Sequence, residues 1–280
     1  MQQEQAIPDI FFLPTDSGRR LCILRKQRPF HACRGAILLV PAFAEEMNKA
    51  RRMCALQAQY LASCGYAVLT IDLRGAGDSQ GSLSDSTWLD WHADLAFACE
   101  WLHTQMSAPI SLLGLRLGAL LALDFACQNA STIQQLVLWQ PVTNGRAYMK
   151  QFFRLQLVNN ALSGAPIESK GGASKSKQVE IQSNAEVAGY DLSSRFRDSV
   201  EAIDLLHFPA QDFAISWLEL RDEASFELSP ARQKYADFFC NTYANAKIQK
   251  ISSPEFWDTQ NISTCPSLIE LTARIFDDGH

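Results

Sequence analysis

Residues 110–127 read ISLLGLRLGALLALDFAC, and this stretch constrains the fold more than any other. Its first part, 110–114, is short and mostly apolar and reads as a strand. From residue 117 the sequence is rich in Ala and Leu, the strongest helix formers. Between the two lie Gly114 and Gly118, which bracket Arg116. Glycines at this spacing let a strand and the helix after it approach closely through a tight turn, which lifts the middle side chain above the edge of a sheet. That side chain is an arginine. It stays protonated to a pH above about 12 and offers only donors, so it cannot serve as a nucleophile. A cation at a helix N-terminus also opposes the helix dipole, typically by about 0.3–1 kcal/mol. The position therefore calls for an acidic side chain or an anionic ligand close by.

The rest of the chain supplies a sheet for this turn. Strands are expected at 10–14 and 20–26 around the turn at 15–18, and then at 35–40, 66–73, 110–114, 136–139, 213–220 and 247–251. Helical periodicity falls at 46–64, 88–106, 117–127, 230–243 and 266–276, and a Gly, Asp and Ser loop occupies 74–86. Strands alternating with helices at this spacing predict a mostly parallel central sheet with helices on both faces. The glycine spacing is that of a G-x-S-x-G elbow, and D-L-R-G-A-G-D-S follows an earlier strand at 72–79. Together these predict an α/β-hydrolase fold. The alternation breaks after Pro141. A helix is expected at 144–158, a mobile polar loop at 163–178, and 186–206 shows apolar patches without strand character. The expected organisation is a core of 1–144 and 209–280, with an inserted lid at 145–208.

Composition removes several function classes. The formal charge of −5 and the absence of a Lys/Arg run argue against nucleic acid. No stretch of about 18 apolar residues is present to span a membrane, and residues 1–8 lack the pattern of a signal peptide. The eight cysteines show neither C-x-x-C nor metal-type spacing and read as small buried hydrophobes in a reducing compartment. A cytoplasmic protein with neither metal nor cofactor is the expectation.

Around Arg116 the sequence offers a set of site residues. The loop after the first buried strand, P-A-F-A-E-E-M-N-K at 41–49, supplies an oxyanion-hole N–H in hydrolases of this fold. Glu45 or Glu46 is expected to pair with Arg116; the plainer alternative is that both simply start a helix, where negative charge is favoured. Either would serve as a general base if its surroundings raised its pKa. Asn48 lies in the same segment. Gln140, after the strand at 136–139, either faces the pocket or caps the strand end. Arg74 follows a strand and points at the same sheet edge, whereas Lys49, Arg51 and Arg52 either add to a positive pocket or, more simply, form a solvated helix face. The segment 252–262, which would carry a catalytic histidine, has none; Phe256 and Trp257 stand there as a pocket wall or as core. His31, His92, His103, His207 and His280 read as packing or surface residues, and an acid at Glu219 or Asp222 would have no histidine to orient.

At PAFAEEMNKARRM (41–53), DLRGAGDSQG (72–81), WLDWHAD (88–94), GLRLGA (114–119), LWQPV (138–142), QFFRL (151–155), EVAGYDL (186–192) and PEFWDT (254–259) the chain resembles the exosortase A system-associated hydrolase 2 family. The match extends over most of the chain, and EEMNK and GLRLG are its most specific parts. It departs from the family pattern at Pro41-Ala42, where Pro-Pro is expected. The resemblance implies a bacterial setting of exopolysaccharide biosynthesis and PEP-CTERM protein sorting, an arginine elbow shared across the family, and partners within that machinery. It implies no substrate. Three functions stay open: binding of a small anionic pathway metabolite at Arg116, a hydrolase or transferase of unusual mechanism with a glutamate base, and a non-catalytic partner-binding scaffold.

Overall fold

The computed structural model describes residues 8–26, 33–162, 184–187, 190–222, 227–259 and 261–279. In the N-terminal half, β1 (Asp9–Thr15) and β2 (Gly18–Arg25) form a hairpin. There follow β3 (Ala36–Val40), α1 (Ala44–Ser63), β4 (Ala67–Ile71), α2 (Trp88–Met106), β5 (Ile110–Leu115), α3 (Leu117–Gln128) and β6 (Ile133–Trp139). An excursion then carries α4 (Gly145–Leu162), β7 (Asn184–Val187), β8 (Tyr190–Ser193) and α5 (Ser194–Glu201). The chain returns through β9 (Ala214–Arg221), α6 (Pro230–Thr242), β10 (Ala246–Ser252) and α7 (Pro266–Asp278). Eight strands form one sheet in the order β1-β2-β4-β3-β5-β6-β9-β10. The β1–β2 and β2–β4 pairs are antiparallel and all others in this sheet are parallel, which is the α/β-hydrolase arrangement.

Because side chains alternate across a strand, each buried strand feeds two cores. Leu38, Leu112, Leu136, Leu138 and Trp217 pack on one face with Trp91 and Leu95 of α2 and the apolar body of α3. Ile37, Leu39, Leu113, Val137 and Leu218 pack on the other with Met53 and Leu61 of α1 and Leu268 and Phe276 of α7. Polar ties fix α7 to the sheet: Trp139 Nε1 donates to Thr272 Oγ1 at 2.9 Å, and Gln135 Nε2 to the Ile275 carbonyl at 2.7 Å. On the other side Arg20, with no exposed surface, donates from Nε to Asp94 Oδ1 at 2.6 Å, joining β2 to α2. Burial pushes the Asp94 carboxyl above its ordinary range, and Arg20 holds it back.

The cysteines depart in part from the expectation. All eight are free; Cys22, Cys54, Cys99, Cys127 and Cys265 are buried, but Cys33 and Cys240 are exposed. Cys33 lies in the connection before β3 and Cys240 on the outward side of α6. Burial pushes the thiols of Cys22, Cys54 and Cys99 up to about 12, so they act as apolar packing.

The excursion is stitched at its base. Gly145 N–H donates to the Ile203 carbonyl at 2.8 Å, Leu205 N–H to the Thr143 carbonyl at 2.9 Å, and Asn144 Nδ2 to Asp204 Oδ2 at 2.7 Å. Sequence periodicity gave no strand at 186–206, yet β7 and β8 pair there and α5 follows directly. Strands of four residues are too short to show alternation. The Ser193 hydroxyl, which accepts from Phe196 N–H at 3.1 Å, starts the helix. The polar stretch at 163–178 lies outside the described residues. Among the described residues no helix is long and apolar enough to cross a membrane.

Two substitutions test this architecture. A Cβ on Gly118 would run into the carbonyl oxygens of Pro41 and Val40, so Gly118→Ala should cost about 3 kcal/mol in a urea unfolding experiment. Arg20→Met leaves Asp94 buried without its counter-ion and should cost about 3–5 kcal/mol by the same measurement.

Candidate functional site

The turn between β5 and α3 brings the strand and the helix as close as the two glycines allow. A side chain on Gly114 would meet the Ala119 backbone, and one on Gly118 the loop after β3. Arg116 sits at the apex with φ 55° and ψ −118°. This is a costly conformation for a residue with a Cβ, of order 1–3 kcal/mol. Its backbone is held by the neighbouring strand: its N–H donates to the Trp139 carbonyl at 3.0 Å, and its carbonyl accepts from Val142 N–H at 3.1 Å. Ala44 (φ 52°) and Gln140 (φ 43°) share the left-handed region. They begin α1 and follow β6, so three strained residues gather at one edge of the sheet.

The Arg116 side chain finds its counter-ion in Glu46, not Glu45. Nε and Nη2 donate to Glu46 Oε1 at 3.1 and 2.9 Å, and Tyr148 Oη of α4 donates to Glu46 Oε2 at 3.0 Å. Nη1 reaches the Gln140 carbonyl at 3.5 Å. The guanidinium carbon lies 5.4 Å from the Trp257 ring centre and 5.9 Å from that of Tyr148. Burial lowers the arginine's pKa, but Glu46 and Tyr148 together outweigh it and the net shift is upward. Tyr148 is driven well above its ordinary value, first by burial and then by Glu46. Glu46 also lies in the first turn of α1, so helix start and ion pair are satisfied by one residue.

The other predicted residues fall in different places. Glu45 accepts from Tyr190 Oη of β8 at 3.0 Å and from Asn48 Nδ2 at 3.4 Å, at the exposed rim. Gln140 points its side-chain carbonyl at Leu220 N–H, 2.7 Å away, and so caps β9, leaving its backbone carbonyl to Arg116. Arg74 is not brought to Arg116. It has Asp90 4.0 Å away and packs beside Gly81. Trp257 is buried against both the second core and Arg116, so wall and core are one role here. His92 is a packing residue paired with Asp124 at 2.9 Å. Glu219 is buried and bonded to Arg232 of α6, with Nη2 to Oε2 at 2.7 Å, and to Trp217 Nε1 at 2.8 Å. Sequence reading missed Arg232, Tyr148 and Tyr190: the first two carried no motif and lie on helices read only for periodicity, and Tyr190 lies in the EVAGYDL segment, which was given no role at the site.

Space around the elbow is unequal on its two sides. Between Phe43, Trp91, Leu117 and Gly118 only about 10 Å³ remains, roughly one water probe. Phe43 fills that side. Its ring centre lies 5.2 Å from Phe152 and 5.5 Å from Phe196, both on the excursion, and 5.9 Å from Trp91. On the other side a cavity of about 400 Å³ opens, lined by Arg116, Asn144, Tyr148, Ser229, Arg232 and Tyr235 among others. No aspartate or glutamate is among the described residues lining it. Among the described residues no group of His, Cys, Asp and Glu is placed to hold a metal ion.

The Arg116–Glu46 pair has a measurable signature. Glu46→Leu strands a largely buried cation and should cost about 3 kcal/mol, while Arg116→Met combined with Glu46→Leu should recover most of that loss in urea unfolding.

Comparison with known proteins agrees with this architecture. Est1E from Butyrivibrio proteoclasticus, solved with ferulic acid bound, superposes with a TM-score of 0.64 at 13% identity, over 96% of each chain. The Pyrococcus furiosus esterase PF2001 gives a TM-score of 0.62 at 14% identity, over 97% of this chain and 90% of that one. The thioesterase domain from the curacin biosynthetic pathway gives 0.59 at 16% identity, over 97% and 100%. At these identities the likeness is one of fold. No curated protein matches the sequence. The model of the serine aminopeptidase S33 family (Hydrolase_4) matches residues 31–201, more than half of the chain, and the protein belongs to that α/β-hydrolase family.

Proposed function

We propose that this protein uses an α/β-hydrolase scaffold to bind a small anionic metabolite and does not perform serine-hydrolase chemistry. One observation carries the reading: the side chain raised at the elbow is a fixed guanidinium, facing a cavity of about 400 Å³ with no carboxylate among its described lining residues. A guanidinium gives donors in a fork that suits carboxylate and phosphate oxygens, and it has no nucleophilic form near neutral pH. The first-turn residues Ala147 and Tyr148 of α4 and Ala231 and Arg232 of α6 also line the cavity, and helix N-termini favour negative charge.

What stands near the elbow among the described residues also supports this reading. Where a base would approach the elbow stands Trp257, and Glu219 is committed to Arg232. The side bounded by Phe43 and Leu117 has no room for an acyl group. A glutamate base is disfavoured too, since both oxygens of Glu46 already accept hydrogen bonds. The resemblance to exosortase A system-associated hydrolases supports a bacterial setting of exopolysaccharide biosynthesis, with the arginine elbow as that group's own design. Anionic intermediates and partner proteins of such a pathway are then the molecules to screen.

A panel of activated esters and thioesters tests the reading, run with the wild type and Arg116→Ala alongside thermal denaturation with added anions. Neither protein should turn over the esters. A bound anion at about 100 times its Kd should stabilise the wild type by about 2.7 kcal/mol, and this gain should vanish in Arg116→Ala. Ester turnover that disappears with Arg116 would sink the proposal.

A further inference from the structure

Arg232 faces the same cavity as Arg116, and the two are built alike. Each guanidinium lies over an indole, Trp257 at 5.4 Å for Arg116 and Trp217 at 4.3 Å for Arg232. Each is forked onto one glutamate, Glu46 and Glu219 respectively. Each reaches a backbone carbonyl of one turn: Arg116 Nη1 that of Gln140 at 3.5 Å, and Arg232 Nη1 that of Pro141 at 2.8 Å. In both, Nε, Nη1 and Nη2 donate to these partners, which leaves two of the five N–H groups without a partner among the described residues. Both side chains keep some exposed surface, 16% and 15%, and neither glutamate lines the cavity. The remaining donors are left for a ligand in the cavity that both arginines line.

We infer that Arg116 and Arg232 are two arms of one clamp, and that the anion between them is the phosphoryl group of a small phosphate ester. This rests on the anion-binding reading above. A single carboxylate has only two oxygens, both in one plane, so it meets two guanidinium groups approaching from different directions less well. A phosphoryl group spreads three oxygens tetrahedrally and accepts from two forks at once. Burial, and repulsion from Arg116 and Arg221, lower the pKa of Arg232 against the pull of Glu219; an anion between Arg116 and Arg232 relieves part of that repulsion. The cavity volume lies within the small-ligand range and leaves space for an organic remainder beside Tyr148 and Tyr235. Glu46, Glu219 and the two indoles act as positioning residues that hold the arms before ligand arrives.

Isothermal titration with glucose 1-phosphate, inorganic phosphate, acetate and succinate tests the clamp. The proteins to compare are the wild type, Arg116→Gln, Arg232→Lys and the double variant Glu219→Met/Arg232→Met. The lysine keeps the charge but loses the fork. The double variant removes the buried pair together, a change proteins often accept without loss of stability. The wild type should bind glucose 1-phosphate more tightly than phosphate and should not bind acetate. Arg116→Gln and both Arg232 variants should lose about tenfold or more in affinity. Succinate binding tighter than the phosphate ester would overturn the phosphoryl assignment. Wild-type affinity in both Arg232 variants, with loss only in Arg116→Gln, would overturn the clamp while leaving a one-armed anion site. Failure of every anion to bind the wild type would remove the underlying reading as well.

Discussion

The close approach of β5 and α3 governs this protein. At Gly114 and Gly118 two backbones come nearer than any side chain would permit, and residue 116 is forced into a left-handed conformation above the sheet edge. In an active serine hydrolase such a turn presents a small neutral hydroxyl. Here it presents a long, permanently charged side chain, and much of the surrounding structure follows from accommodating that charge. Glu46 at the start of α1 neutralises it, Trp257 lies beside it, and Tyr148 of α4 closes the far side of the carboxylate.

That accommodation also couples the excursion to the core. Tyr148 and Tyr190 come from two separate segments of the excursion, and each donates its hydroxyl to one of two consecutive glutamates. Phe43, in the same stretch of chain, stacks on Phe196 and contacts Phe152. Residues 43–46 are therefore an anchor made of one aromatic ring and two carboxylates. The aromatic part fills one side of the elbow, where only about 10 Å³ remains. The ionic part directs the guanidinium to the other side, where the larger cavity lies.

A second arginine–glutamate pair, Arg232 with Glu219, repeats the construction across that cavity. Buried ion pairs add little net stability, because the desolvation of both ions offsets their attraction. Two of them around one cavity are better understood as orienting devices. A guanidinium fixed by a carboxylate, an indole and a carbonyl has lost its rotational freedom in advance, so a ligand meeting it bears less of that entropic cost.

The sequence by itself determined the layer architecture and the elbow. The continuous apolar run at 35–40 reads as a strand covered on both faces, and the glycine pair around Arg116, set between a strand at 110–114 and an Ala/Leu-rich helix, reads as a tight strand-to-helix turn. It also narrowed the counter-ion of Arg116 to two adjacent glutamates. Tertiary structure decided between them, because α1 turns Glu46 towards α3 and leaves Glu45 at the rim facing Tyr190. Likewise Gln140 was equally readable as pocket or cap until β9 brought Leu220 N–H within 2.7 Å of its side chain. Arg232 could not be found from sequence at all: it lies 116 positions beyond Arg116 on a helix whose local pattern marks only periodicity. Local propensity and steric exclusion act within a few residues, and so the chain displays them. Contacts between side chains from different helices depend on how the sheet stacks them, and only the folded molecule holds that information.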